Sequence, residues 1–98
     1  MLHDLPATAG KAALCLSLEY GGLTRLVEVH AVGKSRAGHR LMRVWQVDGG
    51  SRSGQPVGWK LMRVDEARNL SISEQRSQAP RDGYRRGDRA MLRIDWQI

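Results

Sequence analysis

Short segments with the two-residue periodicity of β-strands follow one another closely along this chain. Residues 14–20, LCLSLEY, place every leucine on one face, and a Gly-Gly turn leads into residues 24–32, TRLVEVHAV, as the second strand of a hairpin. The same periodicity predicts further strands over residues 39–47, 59–67, 69–75 and 90–98. The connections are too short for helical crossovers, so the strands are expected to pair antiparallel.

This pattern predicts an all-β fold, a small β-barrel of five to six short antiparallel strands. A chain of 98 residues supports one modest hydrophobic core, so residues 1–98 are expected to form a single domain. Its barrel would span residues 14–98. Residues 1–13 would form an N-terminal tail or a short helix, which the pattern places near residues 7–14 and which Gly10 weakens.

The charge balance points to an anionic partner. The chain has 16 basic and 10 acidic residues, for a net charge of +6, and thirteen of the basic residues are arginine. Such an excess favours nucleic acid, a phosphorylated ligand or an anionic surface, and the planar guanidinium pairs well with phosphate. The alternative is a basic surface that serves solubility alone.

The cellular setting is predicted from cysteine use and hydropathy. Cys15 is the only cysteine, which excludes an intramolecular disulfide and fits a reducing, cytoplasmic setting. We expect it to be a small buried apolar residue. The sequence predicts no membrane span and no secretion signal, because it has no long apolar run and no basic leader.

The tetrapeptide LMRV occurs twice, at residues 41–44 and 61–64. Strand periodicity assigns Met42, Val44, Met62 and Val64 to the interior. The opposite face then gathers Leu41, Arg43, Trp45, Trp59, Leu61 and Arg63. Tryptophan beside arginine is typical of a surface that stacks bases and binds anions. Alternatively, the leucines and tryptophans form the core with the arginines at its rim, or the patch is covered by the N-terminal segment or a second subunit.

A segment related to the LMRV repeat lies at residues 91–98. In residues 91–98, MLRIDWQI, one apolar face is predicted to hold Leu92, Ile94, Trp96 and Ile98. An ordinary half-buried strand explains this pattern. The preceding residues 77–89, SQAPRDGYRRGDR, are interpreted as a polar, turn-rich loop.

Other chemistry-bearing residues give weaker signals. The three histidines, His3, His30 and His39, are not spaced as metal ligands, so no metal or cofactor is expected. His30 lies in a strand beside the basic hairpin and is either a ligand contact or a satisfied structural histidine. The loop GGSRSG, with Arg52, offers backbone N–H groups to an anion or is only a flexible connection. No nucleophile-elbow sequence is present, and we expect no enzymatic activity.

The order and spacing of several short sequence features resemble the WYL-domain family, specifically its small stand-alone members. They are Tyr20 at the end of the first strand, VEVH at 27–30, a glycine-containing hairpin, an aromatic-ended strand, and a basic residue before LMRVD at 61–65. The naming Trp-Tyr-Leu triplet falls on Arg40, Leu41 and Met42, and Glu66 stands where the family typically has arginine. The resemblance implies an Sm-like barrel and a ligand-sensing regulatory module, often attached to helix-turn-helix factors, that binds nucleic acid or nucleotide-type ligands.

The sequence therefore predicts a non-enzymatic regulatory module that binds single-stranded nucleic acid or a nucleotide-like anion. Arg43 and Arg63 would contact phosphate, and Trp45 and Trp59 would stack on bases. The remaining candidate site residues are Lys60, His30 and Arg52. The alternative is a protein-interaction or homo-oligomerisation module whose Trp/Leu patch docks a partner.

Overall fold

The computed structural model describes residues 4–51 and 54–98, and it confirms an antiparallel, mostly β fold with one short helix. The elements are α1 (Leu5–Ala12), β1 (Leu14–Tyr20), β2 (Leu23–Lys34), β3 (Arg40–Gly49), β4 (Gly58–Arg63), a 3₁₀ helix (Val64–Glu66), β5 (Arg68–Arg76) and β6 (Arg93–Gln97). The sheet follows the order β4-β3-β2-β1-β5, and β6 pairs with β2. No helix in the described ranges is long and apolar enough to cross a membrane.

Helix α1 begins at Leu5, two residues before the predicted start, because an N-cap residue and a proline favour a helix start at this point. The Asp4 carboxylate accepts a hydrogen bond from the Ala7 N–H at 3.2 Å, and Pro6 lies in the first turn. Gly10 has a packing role that its low helix propensity hides, since a Cβ at this position would overlap the ring of Trp96. The glycine therefore lets the helix lie close to the sheet.

The inner face of the sheet forms the main hydrophobic core. The assignment of Met42, Val44 and Met62 to this face is confirmed, because all three are at most 1% exposed. Val64 differs, since the 3₁₀ helix takes it out of β4 and leaves it half-buried at the edge of the core. Cys15 is fully buried, as predicted.

A bulge at His30 redirects the side chains of β2. Val29 pairs with Val44, and the next pair is Ala31 with Arg43, so β2 has one residue more than β3 at this point. Val32 returns to the inner face and packs in the main core. His30 lies on the outer face with Glu28, and its ring meets Trp59 of β4 edge-on with ring centroids 4.6 Å apart.

A second irregularity corrects the prediction of one apolar face on the last strand. Val32 pairs with Trp96 and Gly33 pairs with Ile94, so Asp95 is an extra residue in β6. Trp96 consequently packs against the main core, whereas Ile94 packs in a separate cluster with Leu41. Leu92 precedes the strand and is 66% exposed.

Candidate functional site

Residues 77–92, which we call the covering segment, run across the outer face of the sheet. Arg81 Nε donates to Glu28 Oε1 at 2.6 Å, and the Gln78 N–H donates to Glu28 Oε2 at 2.6 Å. The Asp82 carbonyl accepts from Trp59 Nε1 at 3.2 Å. The covering segment thus lies over part of the patch predicted on the hairpin, whereas Leu61 stays 40% exposed. Helix α1 packs instead against β1, β2 and β5.

His30 lies beneath the covering segment and is completely buried. Its Nε2 accepts from the Arg81 N–H at 3.0 Å, and its Nδ1 lies 3.0 Å from the Glu28 carbonyl. Because a backbone N–H can only donate, Nε2 must be the acceptor and Nδ1 must carry the proton. Burial lowers the pKa of His30, against a smaller opposing effect of the bond to Glu28. The neutral ring therefore fastens the covering segment to β2.

We expect the free energy of unfolding to decrease as the pH falls through the ordinary histidine pKa of about 6.5. The folded state disfavours the proton that the unfolded state accepts, so stability is full above this pH and is lost below it, by at most about 1.4 kcal/mol per pH unit. Protonation would remove the acceptor for the Arg81 N–H. The ionisable groups that act on the ring or contact it include the carboxylate of Glu28, the guanidinium of Arg81 and Tyr84. Urea denaturation between about pH 8 and pH 5 measures the change.

The variant His30→Asn should be less stable than the wild type and should lose most of this pH dependence. His39→Gln is the matched control, because His39 is exposed in the turn between β2 and β3. An unchanged pH profile in His30→Asn would contradict the assignment.

An open cleft of about 720 Å³ lies between the hairpin of β3 and β4 and the covering segment; we call it the arginine cleft. Arg43 and Trp59 contribute from the sheet. The covering segment contributes Gly83, Tyr84, Arg85, Arg86, Gly87, Asp88 and Arg89. The cleft has a volume typical of small-molecule and cofactor sites.

Positive charge dominates the arginine cleft, because four arginines face one carboxylate. Arg43 is neutralised by that carboxylate, since its Nε lies 2.6 Å from Asp88 Oδ2. The bond to Arg43 lowers the pKa of Asp88, although partial burial opposes the shift, so this pair is ionised at neutral pH. Arg85, Arg86 and Arg89 are exposed and form no ion pair within residues 4–51 and 54–98. These three guanidinium groups are available to an anion.

Two aromatic rings stand beside these arginines. Trp59 and Tyr84 are stacked at a tilt of 28°, with ring centroids 6.2 Å apart. Trp45 meets Trp59 edge-on at 5.4 Å and lies under the Arg81 guanidinium, also at 5.4 Å. Trp59 and Tyr84 therefore line the cleft, whereas Trp45 lies under the covering segment.

Of the sequence-predicted site residues that the structure describes, two line the cleft, Arg43 and Trp59. Lys60 leaves β4 on the opposite face from Trp59, because neighbouring strand residues alternate, and its Nζ donates to Ser51 Oγ at 3.0 Å. Arg63 is the last residue of β4 and directly precedes the 3₁₀ helix.

Arg63 also has carboxylate neighbours. Its NH2 lies 2.8 Å from Asp65 Oδ2, and its NH1 lies 3.6 Å from Glu66 Oε2. The hydrogen bond between Arg63 and Asp65 lowers the pKa of Asp65. Arg52, the predicted loop contact, lies outside the described residues.

Sequence reasoning missed the cleft residues of the covering segment, Tyr84, Arg85, Arg86 and Arg89. The available signal was composition, since residues 81–89, RDGYRRGDR, contain four arginines and a tyrosine. Arginine interleaved with aromatic residues indicates a nucleic-acid-binding surface in a loop as well as on a strand.

No three His, Cys, Asp or Glu side chains in the described part of the chain are grouped as a metal site would require. No family model, curated protein or solved structure matches the chain. The resemblance to the WYL-domain family therefore stays a prediction.

Proposed function

We propose that this protein is a non-enzymatic regulatory module that binds single-stranded nucleic acid or a nucleotide-like anion in the arginine cleft. The observation that carries the proposal is the set of three exposed, unneutralised arginines beside the stacked Trp59 and Tyr84. Guanidinium groups pair with phosphates, and an aromatic ring stacks on a base of any sequence. The regulatory part of the proposal comes from the family resemblance.

The cleft also has a defined shape, which favours a binding site over a basic surface that serves solubility alone. The buried contacts of Arg81 with Glu28 and His30 hold the covering segment in place before any ligand arrives. Glu28 is 1% exposed and His30 is completely buried. A preformed site avoids part of the ordering cost of binding.

The charge contribution is tested with Arg86→Gln and a fluorescein-labelled thymidylate oligomer, by anisotropy at several salt concentrations. We expect the affinity to fall about five- to tenfold at about 50 mM salt and the salt slope to decrease by about 0.7, the value of one lost phosphate contact on a single strand. Arg68→Gln is the matched control, because it removes the same charge from an exposed position on β5. Folding of both variants is checked by thermal melting.

The stacking contribution is tested with Tyr84→Leu, which is expected to weaken binding by about 1–3 kcal/mol while the salt slope stays constant. The absence of wild-type binding at low salt would overturn the proposal. A stable dimer or larger assembly in light scattering, without oligonucleotide binding, would favour the protein-interaction module instead.

A further inference from the structure

A second hollow adjoins the arginine cleft and shares a wall with it. It has a volume of about 400 Å³ and lies between the turn at residues 35–37 and the end of the covering segment at residues 89–92. Arg89 lines both spaces. The two spaces therefore meet at Arg89.

The second hollow is built from fixed backbone. Its turn is closed by the Ser35 N–H, which donates to the His39 carbonyl at 2.9 Å, and by the Gly38 N–H, which donates to the Ser35 carbonyl at 3.0 Å. The facing wall is held by the Leu92 N–H, which donates to the Lys34 carbonyl at 2.7 Å. These hydrogen bonds connect the residues of each wall to the neighbouring backbone.

The chemistry of the two spaces differs. Trp59 and Tyr84 line the arginine cleft, whereas no aromatic side chain among the described residues lines the second hollow. It offers Arg36, which is exposed and without an ion pair in the described ranges, and the shared Arg89. The cleft is suited to stack a base, and the second hollow is suited to bind sugar-phosphate backbone.

We propose that the ligand is a polynucleotide strand that runs from the arginine cleft past Arg89 into the second hollow. This inference rests on the proposed function, because it assigns a polymer to the same cleft. A mononucleotide would fill the cleft and leave Arg36 without a role. A strand gives a phosphate to each exposed arginine of the two spaces, Arg36, Arg85, Arg86 and Arg89, as in grooves that follow the backbone of single-stranded nucleic acid.

The test is competition against the labelled thymidylate oligomer by unlabelled thymidine monophosphate and thymidylates of about two to sixteen nucleotides. We expect affinity to rise with length and then to level off once both spaces are filled. Arg36→Gln should weaken an eight-nucleotide oligomer about five- to tenfold at about 50 mM salt and leave monophosphate binding unchanged. Arg86→Gln should weaken both.

A second variant, Ala37→Glu, places a carboxylate on the same exposed turn and should weaken only the longer oligomers. Two results would overturn the inference and leave the proposed function standing: monophosphate competing as well as the eight-nucleotide oligomer, or Arg36→Gln binding that oligomer as the wild type does. If no thymidylate of any length binds, both the inference and the proposed function fail.

Discussion

Val44→Asp is expected to leave the domain largely unfolded at room temperature. Val44 is completely buried between Val29 on β2 and Lys60 on β4. An unpaired carboxylate there costs several kcal/mol, and the lost apolar burial adds about 1.5–3 kcal/mol. Net stabilities of domains are only about 5–15 kcal/mol, and a domain of this size falls toward the low end. Circular dichroism and thermal melting measure the loss.

Val64→Asp is the informative control for this prediction. The sequence repeat treats Val44 and Val64 as equivalent, whereas the structure leaves Val64 half-buried in the 3₁₀ helix. A carboxylate at residue 64 can reach water, so this variant should fold with a smaller loss of stability. If Val44→Asp melts like the wild type, the inner-face assignment is wrong.

Arg81→Gln is expected to destabilise the domain by about 3–5 kcal/mol, because it leaves the carboxylate of Glu28 buried without its cation. Glu28 is 1% exposed, and from the described residues its carboxylate would keep the one bond from the Gln78 N–H. For a domain of this size each kcal/mol lowers the melting temperature by about 4–8 °C. A decrease of well over 10 °C in a thermal melt is therefore expected.

Arg93→Gln is the matched control, since the pair of Arg93 with Asp95 has an arginine side chain that is 66% exposed. Exposed pairs of this kind contribute at most about 1 kcal/mol. The double variant Glu28→Gln with Arg81→Gln should recover part of the loss, because it removes the unpaired charge. Equal melting temperatures for Arg81→Gln and Arg93→Gln would show that the buried pair does not hold the covering segment.

The two large losses of stability expected from Val44→Asp and Arg81→Gln arise on opposite faces of one sheet. Val44 supports the inner core, and Arg81 holds the covering segment against the outer face. The arginine cleft lies on that outer face, so its shape depends on a polar network instead of the main hydrophobic core. We therefore expect core variants to abolish folding and network variants to alter the cleft as well as stability.

The sequence by itself determined the local structure. Strict alternation in residues 14–20 and the β-branched residues 24–32 placed β1 and β2, and the Gly-Gly turn between them takes positive φ angles, 60° at Gly21 and 78° at Gly22. The same periodicity assigned Met42 and Met62 to the core. These features depend on neighbouring residues, whose spacing is visible in the sequence.

Only the tertiary structure decided which residues share a site. The bulges at His30 and Asp95 each insert a single residue into a strand, and the sequence pattern does not mark them. The contact between Arg81 and Glu28 joins residues 53 positions apart in the chain. Such contacts depend on the path of the whole chain and not on local periodicity. The sequence therefore identified the basic, aromatic hairpin, and the fold selected Arg43 and Trp59 from it and added the arginines of the covering segment.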